Sequence, residues 1–324
     1  MVTINSEKKA LIGILAGAFL ILSILSPKTF LSVGNFQGMA FQLPELGLLS
    51  MAMMLAMLTG GINLSIISTA NISAISAALI MGRYIKLDSP ASSDAYFIVI
   101  ALLVAVAGSV LVGLFNGFLI AALEVPPILA TLGSMKLLQG LAFIVTKGYV
   151  ISGMPLGVVF IGNGSVFGVP FPLIIFMIGA IILAVYLKHT ATGFTTYLIG
   201  SNAIATRFSG VSNAKTIVMT YLLSSIYSGI AGIVMMSRFN SAKAGYGESY
   251  LLVTVLACVL GGIKSDGGFG DVGGLVLSLV ILQVLSSGLN LLGVSSFLTL
   301  ALWGAIMIAV MLMHFAFGRK QRLA

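Results

Sequence analysis

Thr59-Gly60-Gly61-Ile62-Asn63-Leu64-Ser65 interrupts an otherwise apolar stretch, and Leu260-Gly261-Gly262-Ile263-Lys264 echoes it in the second half of the chain. Each glycine inside a helix costs about 1 kcal/mol of propensity. In hydrocarbon, the backbone groups freed by such a break must also find partners. Irregular backbone at membrane depth is tolerated where protein buries it or where it lines a wet cavity. Two breaks, one per half, are what a solute path between related halves requires.

Composition sets the medium. The 324 residues are 59% hydrophobic and 7% charged, with a mean hydropathy of +1.16. Soluble domains carry about 25% charged residues, so a soluble protein is excluded. About 20 apolar residues cross a bilayer. Ten candidate spans follow: 10–26, 41–60, 62–82, 95–123, 125–146, 171–188, 215–236, 249–263, 272–290 and 294–315. The expected fold is therefore an all-α integral membrane protein, a single membrane domain over 1–324, with two Gly-Gly-broken segments and a weak internal repeat. Lys8-Lys9 before the first apolar run resembles a signal peptide, but Ser26-Pro27-Lys28 follows it instead of a cleavage site, which reads as a retained first helix. The single cysteine, Cys258, lies in an apolar segment and reads as a small buried hydrophobe.

An even number of spans puts both termini on one side. Placing them in the cytoplasm assigns Lys8, Lys9, Lys188, Arg207, Lys215, Lys264, Arg319, Lys320 and Arg322 inside. Lys28, Arg83, Lys86, Lys147, Arg238 and Lys243 fall outside, and Lys136 falls within a span. The sign agrees with the positive-inside effect. The net charge of +8 is thus distributed at segment ends, near headgroups, and implies no nucleic acid. Two connections are long: 147–170, rich in Gly and Pro and outward, and 189–214, inward. Within the latter, Asn202 to Phe208 is expected to form two helical turns with Asn202 as N-cap. Residues 124–133 have a faint counterpart at 293–298. Both Gly-Gly breaks fall near the inner side on this count, which makes the expected repeats parallel.

Several motifs carry no chemistry in this context. Gly268-Phe269-Gly270-Asp271-Val272-Gly273 matches a dinucleotide fingerprint, which needs a preceding strand; apolar helices flank it here, so it reads as a tight loop. No Gly-Lys dipeptide exists, so a phosphate loop is absent and any ATP must be hydrolysed by another chain. Gly13-x-x-x-Gly17 and Gly113-x-x-x-Gly117 read as close helix packing. No metal-ligand spacing and no nucleophile–base pair stands out.

The polar residues inside spans are more informative. Asn63, Ser65, Ser68, Asn71, Ser73 and Ser76 follow the first break, while Asn116, Ser224, Ser225, Ser228, Gln283, Ser286 and Asn290 lie in other spans. Neutral hydrogen-bonding groups suit a hydroxyl-rich solute, with Asn63, Ser65, Asn71, Asn116 and Asn290 as candidate path residues. They also suit interhelical hydrogen bonds, worth about 0.6 kcal/mol each. With Glu45, Glu124 and Glu248 assigned to segment ends, no carboxylate is expected in mid-span, which disfavours proton coupling.

Five stretches carry a resemblance: Gly60-Gly61-Ile62-Asn63-Leu64-Ser65; Val125-Pro126-Pro127-Ile128-Leu129-Ala130-Thr131-Leu132-Gly133; Ile199-Gly200-Ser201-Asn202 through Arg207-Phe208-Ser209-Gly210-Val211; Val259-Leu260-Gly261-Gly262 through Gly267-Gly268-Phe269-Gly270; and Leu289-Asn290-Leu291-Leu292-Gly293-Val294. Together they resemble the membrane permease subunits of bacterial ABC importers for monosaccharides, the ribose type, with autoinducer-2 and nucleoside relatives. The resemblance implies an inner-membrane permease paired with a second permease, identical or related. It further implies a cytoplasmic ATPase that binds and hydrolyses the ATP, and a periplasmic solute-binding protein that holds most of the selectivity. No cofactor is implied in this chain. Gly200, Ser201, Asn202 and Arg207, in the 189–214 segment, match the family's cytoplasmic motif and become the candidate ATPase-docking residues. The family commonly carries Asp where this chain has Asn63, and Gly where it has Ile67. That change removes a charge and a flexible point and bears on the solute rather than the fold. An ion-coupled secondary transporter and an integral membrane enzyme are the rival readings.

Overall fold

The computed structural model describes residues 2–85 and 91–323, with side chains described over 8–85 and 95–312. Lys86 lies outside the described residues, as do the side chains of His314, Arg319, Lys320 and Arg322. Thirteen helices run through the described chain: α1 (Val2–Leu25), α2 (Pro27–Phe30), α3 (Val33–Leu58), α4 (Ile66–Tyr84), α5 (Ala91–Ala121), α6 (Pro127–Thr146), α7 (Leu156–Asn163), α8 (Phe171–His189), α9 (Ala191–Phe208), α10 (Asn213–Phe239), α11 (Tyr250–Leu260), α12 (Val272–Leu291) and α13 (Ser296–Leu323). Eight of them, α1, α3, α4, α5, α6, α8, α10 and α12, are long and apolar enough to cross a membrane. The two shorter apolar helices, α11 and the described part of α13, complete the ten expected segments. Among the described residues, sheet is confined to four two-residue strands, β1 (Ile151–Ser152), β2 (Ser165–Val166), β3 (Val169–Pro170) and β4 (Ser241–Ala242), with β1 antiparallel to β4 and β2 to β3.

Helix α3 is the hub. Every side chain from Leu48 to Leu58 is buried, so its apolar residues wrap the whole circumference, as a helix surrounded by others demands. It packs on α4, α8, α10, α11 and α12. The outer helices instead present leucine and isoleucine outward, for example Leu103 and Leu111 on α5, Ile144 on α6 and Ile182 on α8. Such a surface suits lipid. Gly113 and Gly117 press α5 onto the backbones of Leu222 and Val218 in α10, while Gly13 and Gly17 meet no side chain within 4 Å.

The internal repeat is inverted, which corrects the parallel expectation. Arg238 on α10 bonds Glu45 on α3, and Ser224 bonds the Ala52 carbonyl, so α3 and α10 run antiparallel. Exchanging α3, α4, α5 and α6 for α10, α11, α12 and α13 maps the packing onto itself. Helix α10 lies on α4 and α5 as α3 lies on α11 and α12, and α4 touches α5 and α6 as α11 touches α12 and α13. The counterpart of the 59–65 break is thus the turn at 240–249, which also follows a long helix closed by a left-handed residue, Gly60 at φ +79° and Asn240 at φ +49°. The weak match between 124–133 and 293–298 was the trace of this repeat: both are helix-to-helix turns with a left-handed residue, Glu124 and Gly293.

The Gly-Gly echo has another cause. Gly60 (φ +79°) and Gly262 (φ +83°) occupy the same place in the same helix cap. The amide of Gly60 bonds the Met57 carbonyl and that of Gly61 bonds Ala56; Gly262 bonds Val259 and Ile263 bonds Cys258. This is the Schellman arrangement, which needs a left-handed residue and so favours glycine. The alignment by Gly-Gly pairs is therefore one residue out: Gly60 corresponds to Gly262, not Gly261.

Two more segments differ from expectation. The 189–214 connection is nearly all helical, because Thr190 caps α9 by accepting from the Gly193 amide at 3.0 Å. Asn202 breaks α9 at φ −163° and caps its last turns by accepting from Ala205 at 2.9 Å, the capping role expected of it. Helix α11 has 11 residues, about 16 Å long, against a hydrocarbon core of about 30 Å. It is half a span, and the 240–249 turn supplies the rest.

Candidate functional site

Three features surround the first break. The first is a closed polar cluster. The Asn63 amide nitrogen donates to Ser224 Oγ at 2.9 Å, and Ser224 Oγ donates to the Ala52 carbonyl at 2.7 Å. Asn63 Oδ1 accepts from the Ser65 amide at 3.1 Å and from Ser65 Oγ at 2.7 Å, while Asn116 donates to Ser65 Oγ at 3.0 Å. Thr131 Oγ1 accepts from the Leu64 amide at 3.1 Å and lies 3.0 Å from the Ile62 carbonyl. The cap and these bonds give the Gly60, Gly61, Leu64 and Ser65 amides partners from within the protein, while the buried Asn116 Oδ1 has no partner among the described residues. Asn63, Ser65 and Asn116 are fully buried. An amide suits position 63: Ser224 has spent its proton on Ala52, so it can only accept, and a carboxylate there has nothing to donate.

The second feature is a pocket that sequence reasoning missed. Asn71, a candidate path residue, donates to the carbonyls of Ala244 at 2.9 Å and Tyr246 at 3.0 Å. Asn71 is the sixth residue of α4, so the 240–249 turn reaches deep into the bundle before α11 starts. Beside it, Lys136 Nζ donates to Gln139 Oε1 at 3.3 Å, and Gln139 Nε2 donates to Glu248 Oε1 at 2.9 Å. These side chains border a cavity of about 210 Å³ with Ser68, Asn71 and Met135. Lys136 is the tenth of 20 residues in α6 and is exposed on the single chain. A lysine at a helix centre facing lipid costs about 2.5–3.5 kcal/mol, an argument for a wet or protein-covered surface on this face. The legible signal was the mid-span lysine itself.

The third feature is a glycine junction under α9. A β-carbon on Gly200 would overlap the Leu58 carbonyl and the Gly268 amide. One on Gly267 would come within 2.6 Å of the Gly60 amide and 2.8 Å of the Gly200 α-carbon. The Gly268 amide bonds the Leu58 carbonyl at 3.0 Å. The first break, the 261–271 loop and α9 therefore meet backbone to backbone. From this base α9 projects outward: Ser201, Asn202 and Arg207 are exposed, with Ile204 71% and Phe208 88% exposed. Of the four candidate docking residues, Gly200 faces inward, and the other three face out.

The candidate path residues are not brought together. Asn63, Ser65 and Asn116 share the closed cluster, Asn71 borders the pocket, and Asn290 is exposed at the far end of α12. Glu45 corrects another expectation. Because α3 starts at Val33, Glu45 lies inside the helix, fully buried, 2.9 Å from Arg238 and 3.3 Å from the Tyr250 hydroxyl. A carboxylate does sit within a span, and it is paired.

Residues 35–311 match the family described as branched-chain amino acid transport system / permease component. The chain belongs to this family. The permease is 37% identical to the ribose import permease protein of Bacillus subtilis (strain 168) over 90% of its own length and 88% of that relative's. It is 31% identical to the autoinducer 2 import system permease protein of Yersinia pseudotuberculosis, covering 82% and 78% of the two chains. No solved structure matches the permease. It is a multi-pass membrane protein of a transport family, with the all-helical fold expected of it.

Proposed function

We propose that this permease is the membrane subunit of an ATP-driven importer that carries a monosaccharide or similar small polar solute across a bacterial inner membrane. It works with a second permease, identical or related. A peripheral ATPase docks at the Gly60 end, which faces the cytoplasm, and a solute-binding protein delivers solute at the opposite end. The ATPase binds and hydrolyses ATP; no covalent chemistry occurs in this chain. The observation that carries the reading is α9, whose Ile204, Arg207 and Phe208 stand clear of the bundle while Gly200 rests on the backbone of Leu58. A surface helix with apolar tips and a rigid base is built to receive a partner and pass its motion to the break. The relatives named above, import permeases for ribose and autoinducer 2, support the solute class.

The test is reconstitution. Uptake of a labelled monosaccharide into proteoliposomes should need permease, ATPase, binding protein and ATP together. A second reading, ion-coupled transport, gains support from Glu45 as an intramembrane carboxylate. Its oxygens are already engaged by Arg238 and Tyr250, which leaves it poorly placed to cycle. Accumulation driven by a proton or sodium gradient on the permease alone would reverse the choice.

A further inference from the structure

We infer that Lys136, Gln139 and Glu248 form a contact site for a neutral, polyhydroxylated solute on the path-facing surface of the permease. The inference rests on the proposed function and names residues for the solute's passage that lie outside the broken-helix cluster. That cluster is shut off by burial: Asn63, Ser65 and Asn116 are fully buried and bonded to one another or to Ser224, and of their side-chain polar atoms Asn116 Oδ1 alone lacks a partner among the described residues. The Lys136–Gln139–Glu248 chain is open. Each of its bonds runs between exposed or half-buried side chains, so solute hydroxyls can replace them without leaving a buried group unpaired.

Size and charge agree with that solute. The cavity of about 210 Å³ falls below the roughly 300–1,000 Å³ of drug-sized sites. One cation and one carboxylate, bridged by an amide, sum to no net charge. Lys136 offers donors, Glu248 offers acceptors and Gln139 offers both, the pattern that adjacent hydroxyls require. Met135 and Leu251 add an apolar wall for a C–H face. The site is also held in place. Asn71 pins the turn carrying Glu248 through the Ala244 and Tyr246 carbonyls, and Glu248 precedes Ser249, the first residue before α11, where the positive end of the helix dipole favours a carboxylate. A half-length helix that begins beside polar side chains within the bundle is a geometry that transporters use for solute sites.

The experiment uses the full assembly in proteoliposomes, with labelled D-ribose, D-xylose and D-arabinose as probes. Gln139→Leu and Glu248→Gln should each lower uptake at least tenfold for one pentose or more and change the order of the three. ATP hydrolysis by the docked ATPase should persist. Unchanged rates and unchanged order in both variants would overturn the site. If the wild-type assembly moves none of the three pentoses and neither D-glucose nor D-galactose, the monosaccharide reading fails instead. A second readout then decides the wet face: Gln139→Cys in a Cys258→Ala background should react with a small membrane-impermeant thiol reagent. Reaction supports an aqueous surface here, and complete protection with and without ATP overturns it.

Discussion

Gly200 rests directly on the carbonyl of Leu58, with no room between them for a β-carbon. Leu58 ends α3, the central helix, and its carbonyl also accepts from the Gly268 amide. The helix that projects from the bundle is thus joined by backbone contact to the segment that breaks beside the polar cluster.

Replacing Gly200 with Ala should therefore cost about 1–3 kcal/mol, the usual range for overpacking, because the obstructing atoms are backbone and cannot swing aside. The expected phenotype is a lower unfolding temperature and loss of ATP-dependent uptake. Arg207→Glu, on the exposed face, should weaken ATPase co-purification while leaving thermal stability within about 0.5 kcal/mol of the parent. Thermal denaturation in detergent, read beside ATPase retention, separates the two effects.

Asn63→Asp removes the donor from which Ser224 accepts in this cluster. The site is fully buried, so a loss of about 1–3 kcal/mol is expected from the unpaired oxygen pair. Adding Ser224→Ala should recover part of that loss, since it removes the opposing oxygen. A double-mutant cycle on unfolding midpoints would reveal the coupling, and additive losses would contradict it.

The Glu45–Arg238 pair should behave asymmetrically. Arg238→Met alone leaves a buried carboxylate held only by the Tyr250 hydroxyl at 3.3 Å, a change expected to cost about 3–5 kcal/mol. Glu45→Gln with Arg238→Met should be much closer to the parent, because no uncompensated charge remains. Expression and unfolding temperature of the single and double variants supply the comparison.

Asp271 links α12 to α1. Its Oδ1 accepts from the Gly274 amide at 2.8 Å and its Oδ2 lies 2.9 Å from Lys8 Nζ. Partial burial pushes its carboxyl up, but the Lys8 hydrogen bond and charge and the Gly274 and Gly273 amides outweigh it, so the carboxyl sits below its ordinary value. A depressed value in the folded state means that the stabilisation is complete above the unfolded value, about 3.9. It is lost as pH falls through the folded value. Asp271→Asn keeps a capping oxygen and loses the ion pair, which is partly exposed and worth at most about 1 kcal/mol. The stability difference between parent and variant should be flat from neutral pH to about pH 5 and should shrink below about pH 4. A difference that grows on acidification would contradict the assignment.

Periodicity and composition were enough for the medium and the helices, because hydrocarbon forces any spanning backbone to satisfy itself locally. The apolar runs therefore marked all ten segments, and Asn202 was legible as a cap because an N-cap bond is local. The inner half of α9 was missed, since its threonines at 192, 195 and 196 are poor helix formers. Thr195 and Thr196 bond back to the Ala191 and Thr192 carbonyls within the helix that docking holds in place.

What only the tertiary structure decided lies between segments distant in the chain. The Gly60 and Gly262 caps look like a duplication because both need a left-handed residue, whereas the true repeat pairs Gly60 with Asn240 and runs the other way. Glu45 read as a terminal residue until α3 was seen to begin at Val33, with Arg238 193 residues away as its partner. Lys136 was a charge out of place until folding set it within one amide of Glu248. Hydrophobic patterning places a residue in a helix and that helix in the membrane. Which polar groups share a pocket depends on how the helices cross, and that is set by backbone contacts such as Gly200 on Leu58, which no single segment encodes.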